Sequence, residues 1–261
     1  MNLLLTSLVF LFGPHAWSVE IPKRLTESDR SVVIRTLGLN SSTKILSNPY
    51  PLGGYSGLEL GVSLELIDTK ELSRLGCEPG VGSCPNTSRS DEKEFAYPRF
   101  TIGKGLYNDL DIFLSFALPT PGVELSDFGG QIRWNFFETE FLPIVISGVL
   151  QGNQMNINNS FTTQNVSLAL IAGVTVDDFS IYFGGGYIRS ESQFTCGDQE
   201  DGVIDSFDPA CQASNSGYIN QVEHGSHSLV GINLMFNEIF LAAQIDRYRD
   251  PVFSAKLGLR F

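Results

Sequence analysis

The sequence predicts an all-β chain, an antiparallel up-and-down transmembrane β-barrel of about ten strands with a short helix ahead of it. Three observations carry this. Val252 to Phe261 alternate strictly, with Phe253, Ala255, Leu257, Leu259 and Phe261 on one face and Ser254, Lys256, Gly258 and Arg260 on the other. The same period of two recurs along the chain in segments long enough for tilted membrane strands. The connections between these segments sort into short turns and longer polar loops, as expected of the two ends of such a barrel.

Ahead of the barrel, Leu3 to Phe12 is a short apolar run followed by Gly13 and Pro14, and Ala16 and Ser18 fit a cleavage site before Val19. Residues 1–18 therefore read as a secretory signal peptide. Residues 19–55 form a different region, expected at the periplasmic side. Thr26-Glu27-Ser28-Asp29 resembles a capped helix start, and Val32, Val33, Ile34 and Leu37 supply an apolar face before Gly38. A helix this short must pack on something, either the mouth of the barrel or its lumen. A lid or tether at the mouth is the simpler expectation, and a plug the sharper one.

The barrel is expected over residues 56–261. Leu58, Leu60, Val62, Leu64 and Leu66 share one face of the first strand, opposite Glu59, Gly61, Ser63 and Glu65. A second strand runs to Leu106 and turns at Tyr107-Asn108-Asp109. Leu110, Ile112, Leu114 and Phe116 mark the third strand, and Phe128, Ile132, Trp134 and Phe136 the fourth. A fifth ends near Gln151. The sixth, with Val166, Leu168, Leu170 and Val174 outward, turns at Asp177-Asp178 into a seventh ending near Ser190. An eighth carries Val230, Ile232, Leu234 and Phe236, and Asn237-Glu238 leads into a ninth. Long loops are expected at 68–94 and 191–224. Even strand number and the order of short and long connections place both termini in the periplasm. A soluble β-sandwich would also alternate, but it would not bury the charges that oppose these apolar faces.

If the apolar faces meet lipid, then Glu59, Glu65, Arg99, Asp111, Arg133, Asp246, Lys256 and Arg260 line the lumen, with Gln131 and Gln244. First and last strands are neighbours in a closed barrel, so Glu59 is expected near Arg260 and Glu65 near Lys256. A lumen between those of about eight-stranded and sixteen-stranded barrels favours a structural charge network over a conduction path. Arg99, Arg133 and Arg260 could still select anions if a gap remains.

Four cysteines lie in polar stretches. Local pairing of Cys77 with Cys84 and of Cys196 with Cys211 is favoured because each closes a short loop; zinc is the alternative, without a supporting His cluster. Between Glu191 and Glu223 there are seven acids and no Lys or Arg. Asp201 to Asp208 resembles the second half of a calcium loop, but Gly197 and Gln199 break the first half, and a solvated acidic loop explains the same residues.

His224, Ser226, His227 and Ser228 are the only hint of a hydrolytic rim site, and no partnered acid can be assigned to them. No catalytic residue, cofactor or metal is expected. The net charge of −12 argues against nucleic acid as a partner, and none is expected.

With its leader, strand and loop alternation and terminal Phe261, the chain resembles the small outer-membrane β-barrel proteins of Gram-negative bacteria. The resemblance implies outer-membrane lipid and lipopolysaccharide as surroundings, and the outer-membrane assembly machinery, reading Phe261, as a partner during biogenesis. It implies an integral, non-catalytic envelope component or a narrow passage for a small solute, with a lipid hydrolase as the rival. Likeness at this level carries no function across by itself.

Overall fold

Ten long strands pair with their sequence neighbours, and the last returns to the first, so the sheet closes. The computed structural model describes residues 21–76, 94–119, 124–139, 143–197, 203–205, 208–214 and 217–261. The expected leader, Cys77, Cys84 and most of the 68–94 loop lie outside the described residues. The strands are β1 (Leu58–Asp68), β2 (Glu94–Gly105), β3 (Leu110–Ala117), β4 (Leu125–Glu138) and β5 (Ile144–Ile157). They continue as β6 (Phe161–Val176), β7 (Phe179–Gly197), β8 (Tyr218–Phe236), β9 (Ile239–Arg247) and β10 (Pro251–Arg260). Every neighbouring pair in this set is antiparallel.

Closure runs through the register Glu59↔Arg260 to Leu66↔Phe253 between β1 and β10. Phe261 extends this seam by exchanging both main-chain hydrogen bonds with Leu58, at 3.1 and 2.9 Å. With no open edge, all backbone groups of the wall can pair inside the sheet, which is the condition for crossing lipid. No helix among the described residues is long and apolar enough to cross a membrane.

The outward residues form an apolar belt. On β6 the exposed side chains include Val166, Leu168, Leu170, Val174 and Val176; on β9 and β10 they include Ile239, Leu241, Ile245, Phe253, Leu257 and Leu259. Aromatic residues gather at the short-turn end, where Tyr107, Trp134, Phe136, Phe137, Phe179, Phe236 and Phe261 all face out. This is the girdle expected where a barrel wall leaves hydrocarbon for water.

At the short-turn end, Asn108, Asp109, Asp177 and Asn237 take positive φ values, a conformation that Asn and Asp tolerate best among residues with a side chain. The opposite end departs from the sequence reading. β7 and β8 are each 19 residues long, so they absorb much of the expected 191–224 loop. The link between β5 and β6 shrinks to a turn at Asn158-Asn159, both with positive φ. These strands overshoot because polar outward residues beyond the belt still find ladder partners, and a strand ends where pairing ends rather than where hydrophobicity does.

Within the remaining loop, Ile204–Asp205 pairs in parallel with β7, and a short helix, Pro209–Ala213, follows. Cys196 and Cys211 are joined by a disulfide with a Cα–Cα distance of 5.9 Å. Of the calcium-loop-like stretch Asp201 to Asp208, the described residues are 203–205 and 208. Of its acids, Asp208 accepts a hydrogen bond from Ala210 N at 2.8 Å as the cap of that helix.

Candidate functional site

The inward face of the wall supplies side chains that find their partners on the chain's own amino-terminal segment. Residues 21–57 thread the lumen. Thr26 caps helix α1 (Glu27–Val33) with a capping box: its hydroxyl accepts from Asp29 N at 3.3 Å, while Asp29 accepts from Thr26 N at 3.1 Å. The helix passes into a π turn, Ile34–Gly38, and a single 3-10 turn, Leu39–Ser41.

This helix lies among the ends of the strands from which the long connections leave. Leu25 N donates to Val203 O at 3.2 Å, Arg30 Nε to Gln221 at 3.1 Å, and Arg35 pairs with Glu223 at 3.1 Å. Val33, Ile34 and Leu37 are fully buried against Ile67, Phe95, Met155, Ile157, Phe161, Phe194 and Val252. The sequence reading expected segment 19–55 on the periplasmic, short-turn side, as a lid at the mouth or a plug in the lumen; the structure puts its helix inside the wall at the long-connection end. The reason is that the inward face near the long connections is apolar, and it offers the amphipathic helix a surface to bury against.

From Gly38 onward the segment is irregular, and the wall satisfies its backbone. Asn165 Nδ2 donates to Gly38 O at 2.8 Å, and Asn153 Nδ2 to Ser41 O at 3.0 Å. Arg99 donates to Ser41 O at 2.5 Å and to Ser42 O at 3.4 Å. Lower down, Leu46 N donates to Gln244 Oε1 at 3.1 Å. Arg133 donates to Asn48 O at 2.7 Å and Tyr50 O at 3.0 Å, and Leu52 N donates to Asp111 at 3.1 Å. Arg260 donates to Tyr50 O at 3.2 Å and also to Pro51 O. Pro49 sits so close to the wall that a Cβ on Gly173 would lie 2.4 Å from it; only glycine leaves that room.

The predicted lumen charges all face inward and are almost fully buried, Arg260 less so than the rest. Their pairing differs from the sequence expectation. Lys256 meets Glu59 at 2.8 Å, not Glu65. Glu65 instead meets Arg99 at 2.8 Å, and Arg99 also meets Asp127 at 2.5 Å. Arg133 pairs with Asp111 at 2.8 Å. Arg260 stands opposite Glu59 in register but turns its Nη2 to the threaded segment. Asp246 accepts from Gln244 at 2.8 Å.

Three participants were not singled out from sequence. Asp127 was legible, since it shares the inward phase of Gln131 and Arg133 on β4. Tyr248 was legible too, two residues beyond Asp246 in the same phase, whereas Lys44 was not. Lys44 Nζ donates to Tyr248 Oη at 3.1 Å and to Asn40 O at 2.9 Å, and Tyr248 also bonds Ser42. The formal charges of Glu59, Glu65, Asp111, Asp127 and Asp246 cancel those of Lys44, Arg99, Arg133, Lys256 and Arg260. Arg99, Arg133 and Arg260 are thus committed to carboxylates or to carbonyls of the threaded segment rather than facing an open passage.

The residues of the suggested rim site separate. His227 points inward, buried and stacked on Tyr248 at 5.1 Å, whereas His224 points outward and stacks on Tyr187 at 5.9 Å. Strand alternation puts Ser226 and Ser228 on the outward face with His224, so the wall divides the two histidines. No cluster of metal ligands occurs among the described residues.

No family model matches the chain, and no curated protein matches it. Several solved structures are similar. Ail, the attachment invasion locus protein of Yersinia pestis, shares 13% identity over 78% of this chain and 97% of its own, with a TM-score of 0.30. Neisserial surface protein A shares 7% identity over 78% and 96%, with a TM-score of 0.29. A loop-deletion mutant of OmpT, an outer membrane protein of Vibrio cholerae, shares 11% identity over 64% of this chain, with a TM-score of 0.30; this chain spans 53% of its length. The architecture seen here is a closed ten-stranded antiparallel β-barrel with an outward apolar belt.

Proposed function

We propose that the chain is an integral outer-membrane protein that does not conduct, a non-catalytic envelope component whose lumen is filled by residues 21–57. The observation carrying this reading is the threaded segment, whose carbonyls at Ser41, Asn48 and Tyr50 are held by Arg99 and Arg133 from the wall. A barrel of this strand number has little room to spare, and a chain held by charge-assisted bonds along its length leaves no continuous water column. Lipid and lipopolysaccharide surround the belt in this reading, and the assembly machinery acts on the Phe261 end.

In the same reading the long connections face the cell exterior and the short turns the periplasm. Helix α1 then sits at the outer mouth, and Phe261 lies at the periplasmic end. The surface on view is built from the tall β7 and β8 wall, the disulfide-tied loop and α1. Its chemistry is that of a presented surface and not of a route for solutes.

Planar-bilayer recording tests this. The full chain should give a flat trace, and a variant lacking residues 21–52 should give discrete conductance steps. Steps from the unmodified protein would sink the proposal, as would acyl release from lipopolysaccharide by the purified chain.

A further inference from the structure

The outward belt is not uniform. Where β1, β10, β9 and β8 adjoin, small side chains leave a groove of about 400 Å³ on the lipid-facing wall. Its floor is Ala243 and Ala255, which stand opposite each other in register; its sides are Leu64, Ile232, Ile245 and Phe253. The groove is thus a local recess that something linear and apolar can fill.

Arg247 follows Ile245 on the same face of β9, toward the long-connection end. Its side chain is exposed and makes no hydrogen bond or ion pair among the described residues. Directly opposite it in the ladder is Ser228, also outward, and further along β8 come Ser226 and His224. On β8 the outward face therefore switches from Val230 to hydroxyl and imidazole groups at the edge of the groove. A cation at the boundary of an apolar recess, with a hydroxyl beside it, matches a phosphoryl group attached to acyl chains. An arginine left without an internal partner at a membrane edge is set to meet an anionic headgroup.

We propose that this face holds one molecule of lipopolysaccharide, an acyl chain lying in the Ala243–Ala255 groove and a lipid A phosphate on Arg247 and Ser228. The choice of this lipid rests on the reading above that the long connections face outward, since the outer leaflet there is built of lipopolysaccharide. Charge complementarity fixes the headgroup end and shape fixes the acyl end. Removing either end should weaken the contact independently of the other.

The experiment uses the full chain, purified from membranes and examined by native mass spectrometry after addition of rough-type lipopolysaccharide. The unmodified protein should carry a single lipid adduct. Arg247→Glu should weaken the adduct about tenfold, the scale of a lost charge-assisted contact. Ala243→Trp, which fills the groove, should weaken it comparably, while Arg249→Glu in the adjoining turn should not. Heat-modifiable mobility on gels checks that each variant still forms a barrel.

Equal adduct formation by all variants overturns the proposal. Displacement of the adduct by phosphatidylglycerol at matched concentration overturns the choice of lipid. A protein dimer lost on Ala243→Trp overturns it in favour of self-association. Membrane fractionation of the unmodified chain separates these outcomes from failure of the outer-membrane reading, which would appear first as absence from the outer-membrane fraction.

Discussion

Lys256 Nζ donates to Glu59 Oε1 at 2.8 Å across the seam of the barrel, its stem lying over Gly61. A Cβ on Gly61 would fall 2.4 Å from Lys256 Cε, so the missing side chain is what opens the path. Glu65, the nearer carboxylate in register, is already taken by Arg99. Ser47 of the threaded segment also donates to Glu59 at 2.6 Å, which ties the seam to the lumen filling.

Both members of this pair are buried, so removing one strands the other. Lys256→Met should destabilise the barrel by about 3–5 kcal/mol. Adding Glu59→Gln should recover much of that loss, because no buried charge then lacks a partner. Urea unfolding of the refolded protein in lipid vesicles measures this, and an additive loss in the double variant would contradict it.

Arg133 holds the lower half of the threaded segment through Asn48 and Tyr50 while pairing with Asp111. Arg133→Ala should leave the wall closed but release residues 48–52. The expected readout is faster amide exchange over that stretch and intermittent conductance in planar bilayers. Unchanged exchange there would show that the segment is held by packing alone.

The disulfide Cys196–Cys211 spans 15 residues and fixes the short helix against the cluster that includes Val203 and Ile204. Cys211→Ser should destabilise this cap by up to roughly 3 kcal/mol through loop entropy. Limited proteolysis should then cut between 197 and 217 faster, with barrel mobility on gels unchanged. Loss of the barrel itself would mean that the bridge acts on the whole fold.

Helix α1 at the long-connection end makes a topological prediction. A small epitope inserted at Lys23 should be labelled on intact cells, and one in the short turn at Asp177-Asp178 only after permeabilisation. The reverse pattern would invert the membrane orientation proposed here.

Thr26 carries the cap of that helix. Thr26→Ala should lower local stability by about 1 kcal/mol. Amide exchange at Ser28 and Asp29 should report the change while β-strand amides stay protected. If the strands lose protection equally, α1 and the wall unfold as a single unit.

Much of the wall was readable in advance. The alternation of Leu58 to Leu66 and of Phe253 to Phe261 gave both the strands and the faces, because a two-residue period is a local property of extended backbone. The inward phase of Glu59, Arg99, Asp111, Arg133, Asp246 and Lys256 followed from the same rule. Strand ends were read less well: β7 and β8 continue past the belt because their polar outward residues still pair. The threaded segment left no such trace, for Ser42 to Leu52 has neither helical nor strand periodicity and draws its hydrogen bonds from distant side chains.

By itself, then, the sequence determined a closed alternating wall, its polar lining and a capped helix ahead of it, since each depends on neighbours a few residues away. Only the tertiary structure decided that Lys256 meets Glu59, that Arg99 bridges Glu65 and Asp127, and that the helix enters the lumen to bond partners such as Gln221, 191 residues away. Those choices are made by which buried donor reaches which acceptor first once the cylinder has closed, and no local pattern records that competition.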